Sequence, residues 1–365
     1  MKFTHLHVHS QFSILDGMSK ITDLVDKCLR TGMNSIALTD HGNMFGIKEF
    51  ADYCSKVNSK PKKDIKTCEE EIRKENDATK RAELEKKLVD LKQKAADFVP
   101  FKPILGIETY CAHENFDEEI LPGHRKHRGW HLILLAKNKK GYQNLCKLSS
   151  LAFTDGYYFN ARIDRRSLEK YHDNLICCSA CLGGEVPQKI MKNDLAAAEE
   201  AVQWFKNLFG DDYYLELQRH KTDKPNAAVD TYDKQKYVNE ELVKLARKYN
   251  IKLIATNDVH YVEEEHCEAH DRLICLSTQK DFDDPNRMHY TKQEWLKTPE
   301  EMAAIFSDIP EALSNTQEIV EKVEHYSIDS DPIMPKFDIP YDFGTEEEYR
   351  KKYSQQNLFD EFTRN

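Results

Sequence analysis

No run of about 18 apolar residues occurs anywhere in the 365-residue chain, which excludes a membrane-spanning helix of ordinary length. The opening Met-Lys-Phe-Thr-His-Leu-His-Val-His also lacks the apolar core of a secretory signal, so the chain is expected to be soluble and cytoplasmic. Basic excess is missing too. Against 63 Asp and Glu stand 53 Lys and Arg, a formal charge of −10, and a free-standing protein that grips long DNA non-specifically needs a basic face. Disulfide staples are unnecessary at this length, because a domain of such size buries most of the surface of its unfolded chain. The ten cysteines are therefore expected to be thiols, buried or bound to metal. Cys178 and Cys181 form a C-x-x-C with no second such pair, which rules out a four-thiolate zinc knuckle. What the chain has in unusual number is histidine, fifteen of them.

Length allows two domains, or one barrel of about 250 residues with an appendage. Short apolar or β-branched runs at 3–7, 35–39, 104–110, 131–136, 174–179, 213–218 and 252–256 predict seven strands. Amphipathic helices are predicted between several of them, at 21–30, 196–208 and 239–248, giving an α/β fold on a mainly parallel sheet, of barrel type. Residues 60–97 break this rhythm. Their Lys and Glu density and narrow apolar seam (Ile65, Cys68, Ile72, then Leu84, Leu88, Leu91) predict a helical hairpin broken near 75–79. It reads as a solvated insertion packing on itself, with a docking arm as the alternative. Beyond about 285 the character changes again. Thr298-Pro299-Glu300-Glu301 is a helix start with a capping box, a second helix follows over 310–323, and 331–344 reads as an extended linker. A last helical pattern over 346–362 runs on without a stop signal, as if the sequence were cut inside a longer protein.

The histidines gather at strand ends. His7 and His9, at i and i+2, leave a strand on the same side and can grip one metal ion. Asp16 follows in a turn that returns it to the same place. The second run stops at Asp40-His41-Gly42, a C-terminal strand end of the sort where barrel enzymes keep their sites. Glu108 is a lone charge inside an apolar run, and a buried carboxylate needs a cation for company. His131 opens the fourth run, Cys181 lies beside Gly183-Gly184 after the fifth, and Asp258 with His260 closes the seventh. Six of the seven predicted strands thus carry a potential ligand at or beside an end. Five histidines, three carboxylates and a thiol exceed the four ligands of one tetrahedral ion, so two or three divalent ions are expected, with Zn, Mn or Fe suited to the donor set.

The motifs His5-Leu6-His7-Val8-His9-Ser10, Thr39-Asp40-His41-Gly42, Gly106-Ile107-Glu108-Thr109-Tyr110 and Thr256-Asn257-Asp258-Val259-His260-Tyr261 resemble the polymerase-and-histidinol-phosphatase (PHP) family. Leu15-Asp16-Gly17, Gly141-Tyr142-Gln143-Asn144-Leu145 and Ala161-Arg162-Ile163-Asp164 resemble its branch at the N-terminus of bacterial replicative DNA polymerases. The likeness covers residues 1–300 apart from the insertion. It implies a distorted (β/α)7 barrel over 1–285 with a mostly helical extension, 286–365, that begins a polymerase region. All nine ligand positions of the family are filled, Asp16 and Cys181 standing where other members carry histidine. The resemblance further implies phosphodiester hydrolysis at a DNA 3′ end, nucleotide transfer in a domain further along, and replicase partners that include a separate proofreading exonuclease subunit. Two alternatives accompany it: a metal-stabilised docking module for that subunit, and a histidinol-phosphatase-like enzyme for small molecules. Arg162 and Arg165 are candidates to hold substrate phosphate, Asp40 to orient an imidazole or shuttle a proton, and His220 to stand near the mouth.

Overall fold

Runs of apolar residues with both faces buried form the centre of the molecule, as parallel strands covered by helices require. The computed structural model describes residues 2–119, 121, 123, 126–335, 344–353 and 355–364. Among them are seven strands: β1 Ser35–Leu38, β2 Lys102–Cys111, β3 Trp130–Ala136, β4 Arg162–Ile163, β5 Leu175–Cys178, β6 Tyr213–Leu217 and β7 Lys252–Ala255. They make one curled, half-barrel sheet in the order β1-β2-β3-β5-β6-β7, with β4 paired to β2. Every pairing is parallel except those of β3, which runs antiparallel to both β2 and β5.

The segment predicted as a strand at 3–7 is not a regular one. It runs instead as a tie between the two edges of the curl. The N–H of Ala37 donates to His5 O (2.9 Å) and that of Thr39 to Val8 O (2.9 Å), while His9 N–H donates to Val259 O (2.7 Å) and Val259 N–H to His7 O (3.1 Å). The two-residue strand β4 is too short to leave a periodic signal in the sequence.

Helices accompany the strands, most of them on the outer face: α1 Ile21–Arg30, α2 Ile47–Lys74, α3 Ala78–Asp97, α4 Lys139–Thr154, α5 Arg165–Tyr171, α6 Glu185–Met191, α7 Leu195–Phe209, α8 Thr231–Tyr249 and α9 Cys267–Thr278. In α1 the stripe Ile21, Leu24, Val25 and Cys28 is buried, as its spacing of three and four predicts. Helices α10 Pro299–Ile305 and α11 Pro310–Lys322 belong to the same compact unit, Met1–Ile328. The predicted start of α10 is present in full, with Thr298 and Glu301 exchanging capping bonds and Pro299 in the first turn. A second unit, Asp329–Asn365, contains α12 Glu346–Lys352 and α13 Gln355–Arg364. Of the predicted linker, residues 336–343 lie outside the described residues.

Alternation along the strands sorts side chains into two clusters. Ile36, Leu38, Leu105, Leu132, Leu134, Leu175, Leu215 and Leu253 face the helices. Ala37, Ile104, Ile133, Leu135, Ile176, Tyr214 and Ile254 face inward, where Ile319 of α11 and Val323 join them. That apolar floor fills one end of the curl, and the polar residues of the same inward face gather at the other.

Helix α2 starts in the core with Ile47, Phe50 and Cys54, then leaves the domain without a break, passing through Pro61. The insertion is therefore an extension of a helix the domain already needs. It turns at Glu75 and returns as α3, which buries none of its residues. At its base Asn58 grips Phe101 twice, Nδ2 donating to the carbonyl (2.8 Å) and Oδ1 accepting from the N–H (2.7 Å). Because the hairpin is closed below that clamp, replacing residues 62–97 by a short Gly/Ser turn is expected to leave the fold intact and move Tm by less than about 3 °C. Thermal unfolding followed by circular dichroism checks this; loss of the cooperative transition would show the hairpin to be part of the core.

Candidate metal centre

Where the inward face turns polar, the chain brings ligand-type residues from both strand directions to one end. Glu108 lies near the end of β2, and His131, second in antiparallel β3, stands in register opposite Tyr110. A parallel strand would have sent His131 to the far end of the sheet. On the tie, Val8 packs into the outer cluster, and His7 and His9 on either side of it turn inward. His41 continues β1 into a bridge with Glu108, whose carbonyl accepts from Gly42 N–H (2.8 Å). The turn that carries Asp16 presses so closely on the tie that a Cβ on Gly17 would stand 2.2 Å from Ser10 O. Three ligand-bearing turns hold a non-glycine residue at positive φ: Leu15 (63°), Ala180 (61°) and Asp258 itself (48°). Such backbone strain persists only where the surroundings over-determine it.

The nine residues singled out in the sequence form one connected cluster. Glu108 is at its centre and is 1% exposed. Its Oε1 lies 2.8 Å from His131 Nδ1 and 3.2 Å from His7 Nε2; its Oε2 lies 2.5 Å from His41 Nδ1 and 3.5 Å from His9 Nε2. Asp258 Oδ1 stands 3.1 and 3.2 Å from the Nε2 atoms of His7 and His9 and 3.7 Å from His260 Nδ1. Asp16 reaches His41 Nε2 at 3.2 Å and His260 Nε2 at 3.7 Å. Cys181 Sγ is 3.6 Å from His131 Nδ1. Three overlapping triads bring their ligand atoms within 4.8 Å of one another: His9, His41 and His260; His7, His9 and Glu108; His41, Glu108 and His131.

Five buried atoms in this cluster, His7 Nε2, His9 Nε2, His41 Nδ1, Glu108 Oε2 and Asp258 Oδ1, crowd against one another at ion-pair distance without hydrogen-bond geometry. Buried polar atoms are ordinarily satisfied, and a knot of unsatisfied ones calls for another partner. Divalent cations fit this donor set of imidazole, carboxylate and thiol.

Residues 5–220 match the PHP domain family. The chain belongs to the PHP family. Over 359 residues, 98% of the chain, it is 38% identical to the DNA polymerase III subunit alpha of Borreliella burgdorferi, and over 365 residues, 99% of it, 34% identical to that of Treponema pallidum. Its PHP domain is thus homologous to the N-terminal region of those subunits, and the chain spans about a quarter (27%) of their length. A solved histidinol phosphate phosphatase from Lactococcus lactis, complexed with Zn, L-histidinol and phosphate, aligns over 77% of the chain and 95% of its own with 14% identity and a TM-score of 0.28.

Around the PHP centre, further groups set the imidazole tautomers. His7 Nδ1 meets Glu216 Oε1 at 2.6 Å. Ser13 Oγ gives its one proton to Asp40 (2.7 Å), so His9 Nδ1, 3.0 Å away, must donate to Ser13. His260 Nδ1 donates to the carbonyl of Asp258 (2.8 Å). In all three the Nε2 is left for the centre, as in histidine ligands oriented from behind. The hydroxyl of Tyr290 donates to Asp16 Oδ1 (2.8 Å), and His270 Nε2 donates to the carbonyl of Asp16 (2.9 Å).

Electrostatics follow the packing. Burial opposes the charge of Glu108, but His131, His41 and His7 more than offset it and hold its carboxyl well below the usual range. Burial likewise opposes protonation of His7, yet Asp258, Glu216 and Glu108 hold its pKa well above the ordinary value. His9 shifts the other way, down to about 3, through burial and the neighbouring His41 and His260. Burial, with the carboxylates of Asp258 and Glu108, pushes the Cys181 thiol up. The imidazoles of His7 and His41, both shifted upward by neighbouring carboxylates, offset the buried negative charge, a role that divalent ions can take over.

Four other residues singled out in the sequence have partners of their own in the structure. Arg162 is 1% exposed and committed to Glu119 (2.7 and 2.8 Å), Gly156 O (2.9 Å) and His127 O (2.5 Å), so it is a buried tie between loops and does not face substrate. Arg165 pairs with Glu185 Oε1 (2.8 Å) and lies over the ring of Trp204. His220 is buried, with Nε2 on Asn257 O (3.1 Å) and Nδ1 on the Gln235 amide (3.2 Å). Asp40 makes no direct hydrogen bond to an imidazole; it accepts from Ser10 N–H (2.6 Å) and Ser13 and meets His9 through that serine, an arrangement in keeping with the expected orienting role. Sequence reasoning missed Glu216, Ser13, Tyr290 and His270. Glu216 had a readable signal, since it is a lone charge inside Tyr-Tyr-Leu-Glu-Leu just as Glu108 is in β2. Tyr290 and His270 come from positions far along the chain and had none.

Glu216→Gln removes the charge behind His7 and keeps the shape. It is expected to weaken Zn²⁺ or Mn²⁺ binding about 10- to 100-fold in isothermal titration calorimetry. Unchanged affinity would mean that His7 is held without it.

Proposed function

We propose that this chain is the PHP-domain part of a replicative DNA polymerase III alpha subunit and hydrolyses phosphodiesters at a DNA 3′ end, with residues 1–285 forming a distorted (β/α)7 barrel and 286–365 starting the polymerase region. What carries the reading is the group of five buried, unsatisfied ligand atoms at one end of the curled sheet. His7, His9, Asp16, His41, Glu108, His131, Cys181, Asp258 and His260 would hold two or three divalent ions, Zn, Mn or Fe. Such ions supply Lewis acidity toward a phosphate and activate a hydrolytic water at neutral pH. The chain itself does the positioning. Glu216 and the Asp40–Ser13 pair aim the imidazoles of His7 and His9, and Tyr290 fixes the carboxylate of Asp16. The apolar floor of Ile133, Ile176 and Ile254 closes the far side against water.

In this reading the full-length protein is a cytoplasmic DNA-directed DNA polymerase, and this part trims ends beside the other replicase subunits, a proofreading exonuclease among them. A second reading has one observation in its favour. The ligands His7 and His9 lie on the tie that joins the sheet edges, so bound ions also brace the fold, as a docking module for that exonuclease subunit would need.

The two separate in one assay. Protein loaded with Zn²⁺ or Mn²⁺ is given a 3′-labelled primer-template. The parent is expected to remove 3′ nucleotides, His9→Ala and Asp258→Ala to lose at least about 100-fold of that rate, and no variant to extend the primer. A parent that degrades nothing, or variants that cut equally well, would end the nuclease reading; turnover of histidinol phosphate instead would favour a small-molecule phosphatase.

A further inference from the structure

Beside the centre, two loops carry large side chains that the fold leaves in solvent. Tyr157 is 61% exposed and Phe159 64%. Phe159 also sits at φ 59°, a conformation a bulky residue rarely adopts, so the backbone is strained to present a ring that buries little. Cations accompany the aromatics. The guanidinium of Arg128 lies 5.0 Å from the Phe159 ring centroid and Lys126 Nζ 5.9 Å from that of Tyr158, and both side chains are exposed.

The buried Arg162 holds this arrangement from below. Its Nε donates to Gly156 O in one loop and its Nη1 to His127 O in the other, and its guanidinium lies 5.3 Å under the Tyr158 ring. Asn160 Nδ2 adds a cross-link to Arg128 O (3.3 Å). The loop of Tyr157 and Phe159 is joined to the centre through the backbone: it runs directly into β4, β4 pairs with Tyr110, and the Tyr110 ring stands 5.1 Å from His131 and 6.3 Å from His41.

We propose that Tyr157 and Phe159, with Arg128 and Lys126, form a stacking platform that receives the last bases of a single-stranded DNA 3′ segment and leads them to the metal centre. Exposed rings offer faces to any base, and the cations beside them match the phosphates that accompany each base, whereas a paired duplex presents no free base face. The inference deepens the nuclease reading and rests on it for the direction of the strand. Selectivity then favours a frayed end over a paired one, and a charge of −10 is no obstacle because only a short segment is held.

Binding can be read without hydrolysis. Fluorescence anisotropy of a 3′-labelled oligo-dT of about ten nucleotides is followed in EDTA with the 365-residue chain, beside a blunt duplex of equal length. The expected result is tighter binding of the single strand, about 5- to 100-fold weaker in Phe159→Ala and in Tyr157→Ala. It is weaker again in Arg128→Ala and restored in Phe159→Tyr. Circular dichroism confirms that each exposed-site variant is folded. Equal affinity for duplex and single strand, no measurable binding, or alanine variants that bind like the parent would overturn the proposal and leave the rings to a protein partner. Because no metal is present, failure of the hydrolysis assay leaves this result standing, and failure here leaves that assay's result standing.

Discussion

A single buried carboxylate organises this molecule. Glu108 sits inside the curl of the sheet at 1% exposure, where an unpaired charge would cost several kcal/mol. Four imidazoles answer it within 3.5 Å, His7 and His9 from the tie, His41 from the end of β1 and His131 from the start of β3. The segment that bears His7 and His9 is the one that joins β1 to the region after β7. Removing the charge at the centre would therefore loosen the tie between the sheet's edges as well as the site. Stability and chemistry share their parts here.

Geometry makes that convergence possible. Parallel strands present their C-terminal ends together, and β1, β2, β6 and β7 do so with His41, Glu108, Glu216 and the Asp258 turn. One strand must break the rule for a residue at its N-terminal end to join them. β3 does this by running antiparallel, which brings His131 opposite Tyr110, two residues beyond Glu108. The inward alternation then divides the interior cleanly. Ile133 and Leu135, two and four residues past His131, belong to the apolar floor, so the same face of one strand is dry at one end and ionic at the other.

Much of this was legible because chemistry-bearing residues interrupt apolar runs. Glu108, His131 and His41 announce themselves against Ile, Leu and Ala, and six strands stood out for the same contrast. Helix α1 was readable to its ends because its buried stripe fills its whole length, from Ile21 to Cys28. Helix α8 was not: it begins at Thr231, but two of its first three buried positions, Gln235 and Asn239, are polar residues that bond to the His220 and Gln218 backbone, which leaves Val238 alone to mark an apolar period there. The tie at 5–9 has the composition of a strand and fails to be one because it must bond two edges at once. Arg162 shows a different limit. Its motif pointed to phosphate, but its role is decided by Glu119, 43 positions away, and no local pattern carries that distance.

Burial of Arg162 also changes where substrate charge can be met. A guanidinium locked to Glu119 and two carbonyls has been spent on holding loops, and Arg165 is turned toward Glu185 and Trp204. Arg128 and Lys126, by contrast, are exposed and sit next to aromatic rings. A phosphate site made of arginines alone would attract duplex and single strand alike, because both display the same backbone. Cations interleaved with exposed rings discriminate, since only an unpaired base has a face to offer. The acidic balance of the chain works in the same direction. With little long-range attraction for DNA, selection falls to short-range stacking at the strand's end, the one place where a base is free to leave its partner.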